Sequence, residues 1–193
     1  MKHLIIFAHP NSRSFGAAIA DTVRKVSAEK GADTRFLDLY EEKFNPVLSG
    51  ADFEAVGYGN TPEDIKKGQE LVEWADVLTF VYPVWWAGLP AILKGFIDRV
   101  FLYGFAYVSG EEGVKGLLGG RKVLLLSTSG TPSEIYAENG MHKSMKQTQD
   151  DGIFRFSGID DVKHFFFGAV PYVENATREG YLKEVEKIIA ENL

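Results

Sequence analysis

Short apolar runs alternate with longer amphipathic ones along almost the whole chain, and this alternation restricts the fold more than any other feature. His3–Ala8, Thr34–Leu39, Val77–Tyr82, Lys122–Ser127 and His164–Ala169 read as strands. Helical spacing fills the intervals. Phe15, Ala18, Ile19, Val23 and Val26 share one face of a helix that Ser12 or Ser14 can cap and Gly31 can end. Thr61-Pro62-Glu63 opens another helix, with Thr61 as its cap and Pro62 at its first position. A third covers Pro90–Phe101, and a last one starts at about Thr177. Tyr40–Pro62, broken by Pro46, Gly50, Gly57 and Gly59, reads as irregular. Strands alternating with helices imply a parallel sheet with right-handed crossovers, hence a doubly wound α/β fold of five strands with helices on both faces. With 193 residues, one domain over 1–193 is expected.

Composition narrows the function. The net charge is −6, and the 21 Lys and Arg residues form no stripe, which argues against nucleic acid as a partner. The chain has no cysteine, so disulfides, thiolate metal sites and a Cys nucleophile are excluded. His3, His9, His142 and His164 lack metal-ligand spacing, so no metal is expected. No Gly-x-Ser-x-Gly elbow, Walker loop or Gly-x-Gly-x-x-Gly fingerprint is present. Glu41-Glu42 and Asp150-Asp151 read as solvated charge. No targeting segment stands out, and the longest uncharged stretch, Val77–Leu93, is interrupted by prolines and glycine, so a soluble cytoplasmic protein is expected.

Open parallel sheets bind ligands beyond the carboxyl ends of their strands. Three loops lie there. His9–Gly16 carries His9, Asn11, Ser12, Arg13 and Ser14 into a helix N-terminus, a setting that suits a phosphate but also describes an ordinary capped turn. Pro83–Leu89 contains Trp85 and Trp86, which cannot both enter one core. One is expected to pack beneath the following helix, and the other to meet a flat aromatic ligand that Gly88 allows to come close. Thr128–Tyr136 offers donors for the edge of a heterocycle. Tyr136 and His142 could act as a proton-handling pair, or simply as hydrogen-bonded surface neighbours.

Four segments carry a resemblance: HPNSRSF (9–15), DLYEEKFNPVLS (38–49), YPVWWAGLPAILKGFIDRVFLYGFAY (82–107) and TSGTPSEIYAENGMH (128–142). They resemble the NAD(P)H:quinone oxidoreductases of the DT-diaphorase type, among the flavodoxin-like flavoproteins. The likeness fades after about Asp161. It implies a flavodoxin-like sheet, a bound flavin (FAD, with FMN the other possibility) and NAD(P)H as co-substrate. A quinone or similar flat acceptor would be reduced by a homodimer. Carried over residue by residue, His9, Ser14, Phe15 and Gly16 would hold the phosphates and ribityl chain. Pro83, Val84, Trp85 and Trp86 would line the ring, and Thr128, Ser129, Gly130 and Thr131 would bond its polar edge. Tyr136 and His142 would be the catalytic pair. Tyr107, from the other subunit, would line the substrate pocket with Trp86 and His142.

Departures from the family's pattern accompany the likeness. Gly16 stands where Asn is common, and Thr131 replaces the second glycine of a Gly-Gly pair. Ala87 and Ser109 replace aromatics, which should open the pocket. Other readings in the same group are a flavin-binding accessory subunit of a membrane potassium efflux system and an electron-carrier flavodoxin. An α/β protein for some other phosphate ligand is a further alternative.

Overall fold

The computed structural model describes all of residues 1–193. Its strands are β1 (Lys2–Phe7), β2 (Asp33–Asp38), β3 (Val77–Pro83), β4 (Tyr107–Gly110), β5 (Gly113–Gly116), β6 (Lys122–Thr128) and β7 (Asp161–Phe167). Five of them form one parallel sheet in the order β2-β1-β3-β6-β7, the flavodoxin-like order. β4 and β5 make a small antiparallel hairpin that the sequence reading did not anticipate. The expected strands stand within one or two residues of their positions, except the last. β7 begins at Asp161 rather than His164, because its first half alternates exposed Asp161 and Lys163 with buried Val162 and His164.

The helices are α1 (Phe15–Glu29), α2 (Gly50–Gly57), α3 (Glu63–Trp74), α4 (Ala91–Val100), α5 (Ser133–Glu138), α6 (Met141–Met145) and α7 (Asn175–Asn192), with a π-helical segment at Lys146–Arg155. Ser14, not Ser12, caps α1 by accepting from Ala17 N–H at 3.1 Å. Pro62 occupies the cap position of α3, and no side chain caps it, so Thr61 does not play that part. The stretch read as irregular contains α2. Ser49 and Asp52 start it with a reciprocal capping box, each side chain bonded to the other's backbone N–H.

Alternate residues of the strands enter two cores. Ile5, Phe7, Val81, Leu124 and Leu126 meet α1 and α7 on one face. Leu4, Ile6, Phe80, Tyr82 and Leu125 meet α3, α4 and the π segment on the other. β1 and β3 are neighbours, and from them the chain winds outward in both directions. Their carboxyl ends therefore flank a crevice that no crossover helix can cover.

Candidate active site

That crevice is a cleft of about 220 Å³ lined by His9, Ser14, Phe15, Gly16, Pro83, Val84, Trp85, Thr128, Ser129 and Gly130, with Val170 and Pro171 as a further wall. Three loops far apart in sequence thus converge as expected. The last two residues were missed: the loop after β7 closes the same end of the sheet. Ala169 N–H donates to Thr131 O and Val170 N–H to Ser129 O, both at 3.0 Å. Gly168 permits this approach, since a Cβ there would sit 2.4 Å from Ser133 N. The sequence signal was Gly168 followed closely by Pro171 at a strand end.

Backbone donors decide what the cleft can hold. At the start of α1, Ser14 Oγ takes the Ala17 N–H and Ser14 O takes the Ala18 N–H. The N–H groups of Phe15 and Gly16 have no partner within the chain. Two free amides at a helix N-terminus suit a phosphate. His9 borders the same cleft. Its Nδ1 accepts from Asn11 N–H at 3.0 Å, and burial lowers its pKa. The neutral ring therefore carries its proton on Nε2.

The second loop is a two-residue hairpin. Trp85 N–H donates to Gly88 O at 3.1 Å and Gly88 N–H to Trp85 O at 3.0 Å. Trp86 and Ala87 occupy the turn with φ of 50° and 57°. Positive φ at both central residues defines a type I′ turn, a place that favours Asn-Gly. Two side-chain-bearing residues held there store strain, as functional loops often do. The expectation that one tryptophan enters the core is wrong. Trp85 is exposed and Trp86 fully so, because the hairpin carries both out of the sheet. Gly88 keeps ordinary φ, and the space of its missing Cβ holds no protein atom closer than 3.8 Å. The N–H groups of Trp86, Ala87, Gly130 and Thr131 also lack partners. A ring with carbonyl and aza edges is the kind of group that this donor set fits.

Tyr136 and His142 stand beside the cleft rather than in it. Their rings meet edge to face with centroids 5.9 Å apart. Gly140, at φ 81°, turns the chain between α5 and α6 and brings them together. Burial lowers the pKa of His142, and nearby His164 and Lys146 lower it further. Tyr107 is elsewhere. It borders an apolar groove of about 640 Å³ with Phe53, Ile97, Phe101, Tyr103 and Phe156. Asp150, read as solvated charge, is in fact buried and paired with His164.

Comparison with known proteins places the chain. A family model described as flavodoxin-like fold matches residues 1–189, so the likeness extends through the tail beyond Asp161. An uncharacterized NAD(P)H oxidoreductase of Haemophilus influenzae is 41% identical over 95% of this chain and 91% of its own. The rat NAD(P)H dehydrogenase [quinone] 1 is 30% identical over 98% of this chain and 78% of its own. A solved NAD(P)H:quinone oxidoreductase from Methanothermobacter marburgensis superposes with a TM-score of 0.89 at 28% identity, covering 98% of this chain and 96% of its own. No helix of the chain is long and apolar enough to cross a membrane. The chain belongs to the flavodoxin-like family, among relatives that are NAD(P)H oxidoreductases and NAD(P)H:quinone dehydrogenases.

Proposed function

We propose that the protein is a cytoplasmic, flavin-dependent NAD(P)H:quinone oxidoreductase that works in two alternating half-reactions. The carrying observation is the set of unpartnered N–H groups at the sheet's carboxyl edge, at Phe15, Gly16, Trp86, Ala87, Gly130 and Thr131, beside the Tyr136–His142 pair. A bound flavin would accept hydride from NAD(P)H and pass it on, with a proton, to a quinone or similar flat acceptor. Phe15 and Gly16 N–H with His9 Nε2–H would hold its phosphate, and the hairpin and the 128–131 loop its polar edge. Tyr136 would donate a hydrogen bond to the rim where negative charge develops, and neutral His142 would take up the balancing proton. The cleft is smaller than the roughly 300–1,000 Å³ that engulfs a drug-sized ligand. One face of a seated ring would stay open, which suits two flat substrates using one place in turn.

Two finer points belong to the same proposal. FAD is the expected flavin. The 45–49 segment, whose likeness favours it, is clamped to α4 by Asn45 O accepting from Arg99 at 2.9 Å, with Val47 left exposed. A homodimer is expected because Phe53, Tyr103 and Phe156 are exposed around the groove that holds Tyr107. Tyr107 does not reach its own chain's cleft, so it would complete the partner's. Mass analysis of the cofactor released from the purified protein, with light scattering of the intact sample, tests both. FMN would correct the first point without touching the site, and a monomer would take Tyr107 out of it. A protein that turns over no quinone with NADH or NADPH would overturn the proposal.

A further inference from the structure

A buried polar group lies one row beneath the candidate site, and the proposed reaction does not use it. Register sets Tyr82, Ser127 and Phe166 in one row across β3, β6 and β7, and Phe80, Leu125 and His164 in the next row on the same face of the sheet. His164 Nδ1 is 2.9 Å from Asp150 Oδ1. Its Nε2 is 3.1 Å from Tyr82 Oη and 3.3 Å from Ser127 Oγ. Tyr82 donates to Gln149 Oε1 at 2.6 Å. Gln149 and Asp150 are consecutive on the π-helical segment, and each is only 3% exposed. Long π-helical runs are rare, and π turns often accompany functional sites.

This buried group is not fully satisfied: one of its polar atoms has no partner. His164 Nδ1 faces the Asp150 carboxyl at 2.9 Å, so it donates its N–H there and Nε2 is left to accept. Burial pushes the pKa of His164 down, leaving Nε2 bare and in need of a donor. The Tyr82 proton is committed to Gln149, and the Ser127 proton can serve Phe165 O at 3.2 Å instead. Gln149 Nε2 is a buried polar atom with no partner at all. An incompletely satisfied buried network is generally worse for stability than apolar packing of the same shape.

The group does hold a ring in place. His164 stacks on Phe166 with centroids 4.0 Å apart at 24°, and Phe166 stacks on His142 at 4.0 Å and 17°. His142 in turn meets Tyr136. Four rings therefore run from Asp150 to the edge of the cleft. Phe166 can neither donate nor accept a proton, so what passes along this run is ring position. We infer that Asp150 and His164 are positioning residues for His142, with Asp150 fixing the His164 ring and the stack through Phe166 fixing the plane of His142 beside Tyr136. The inference rests on the proposed catalytic pair, but its structural half stands without a flavin.

The test uses the full chain, both flavin-free and flavin-loaded. With only four histidines, the imidazole proton signals can be assigned by single substitutions. Stacking face-on against Phe166 shifts the His142 signals upfield. Asp150→Leu should move them toward free imidazole, and Asp150→Asn, which keeps an acceptor for Nδ1–H, should restore them. If Asp150→Leu does not fold, Asp150→Leu with His164→Leu leaves no buried imidazole N–H without an acceptor and should give the same shift. In flavin-loaded protein, the first-turnover reduction rate should fall roughly tenfold or more, the scale of a small misplacement. Unmoved His142 signals and unchanged rates in these variants would overturn the inference. If no flavin binds at all, the functional proposal falls while the spectra still decide the stack.

Discussion

The rings of Tyr136 and His142 meet edge to face, with centroids 5.9 Å apart and planes at 78°. The arrangement leaves the phenol hydroxyl free, since no hydrogen bond of the chain engages it. Tyr136→Phe should therefore leave flavin binding intact and slow reduction by NAD(P)H by about a hundredfold to a thousandfold, the range of one positioned hydrogen-bond donor to a developing negative charge. Stopped-flow absorbance checks it. Equal bleaching rates in variant and parent would remove Tyr136 from the mechanism.

Trp86 and Ala87 hold left-handed backbone at a hairpin tip. Ala87→Gly should relieve strain and raise stability by about 1 kcal/mol in urea unfolding. Trp86→Gly should relieve it too, but take away the exposed ring. If that ring covers a flat acceptor, the acceptor's KM should rise while the first reduction by NAD(P)H changes less. A KM unaffected by loss of the indole would place Trp86 outside the acceptor site.

Arg99 is buried between Asp52, at 3.0 Å, and Asp64, and also bonds Asn45 O. It ties α2 and the 45–49 segment to α4, and its hydrogen bonds to Asp52 hold that carboxyl below the usual carboxylate range. Arg99→Met would strand the buried Asp52 charge and should cost about 3–5 kcal/mol. Adding Asp52→Leu should recover part of that loss. Chemical unfolding of the single and double variants measures both numbers.

His3 is enclosed between α1 and the sheet, with Nδ1 2.8 Å from Ser27 Oγ and Nε2 2.7 Å from Thr79 Oγ1. Burial lowers its pKa to about 4. The folded state resists protonation that the unfolded chain accepts below about pH 6.5. The neutral ring's contribution is thus fully present above about 6.5 and is lost as pH falls toward 4, amounting to about 3 kcal/mol. His3→Gln should flatten the fall of unfolding free energy across that window by up to ~1.4 kcal/mol per pH unit. Parallel pH curves for variant and parent would contradict this.

What could be read in the sequence was what depends on neighbours along the chain. β1 and β3 are apolar on both faces because both are covered, so their runs stood out. The loops after β1, β3 and β6 followed from those strands. α2 was hidden because its start is a single Ser49–Asp52 exchange among glycines and a proline, and its apolar face is weak. β4 and β5 are short and end in glycines, so they looked like loop. Asp150 was misjudged because its partner, His164, belongs to another element, and no local pattern reveals such a pairing. The tryptophans were half right: their place was legible, but a turn forcing both outward was not.

The visible absorption of the purified full chain decides whether the cleft holds a flavin. The protein should be yellow, carry one flavin per chain, bleach with NAD(P)H and recover its colour with a quinone. A colourless protein that takes up neither FAD nor FMN when supplied with them would contradict this.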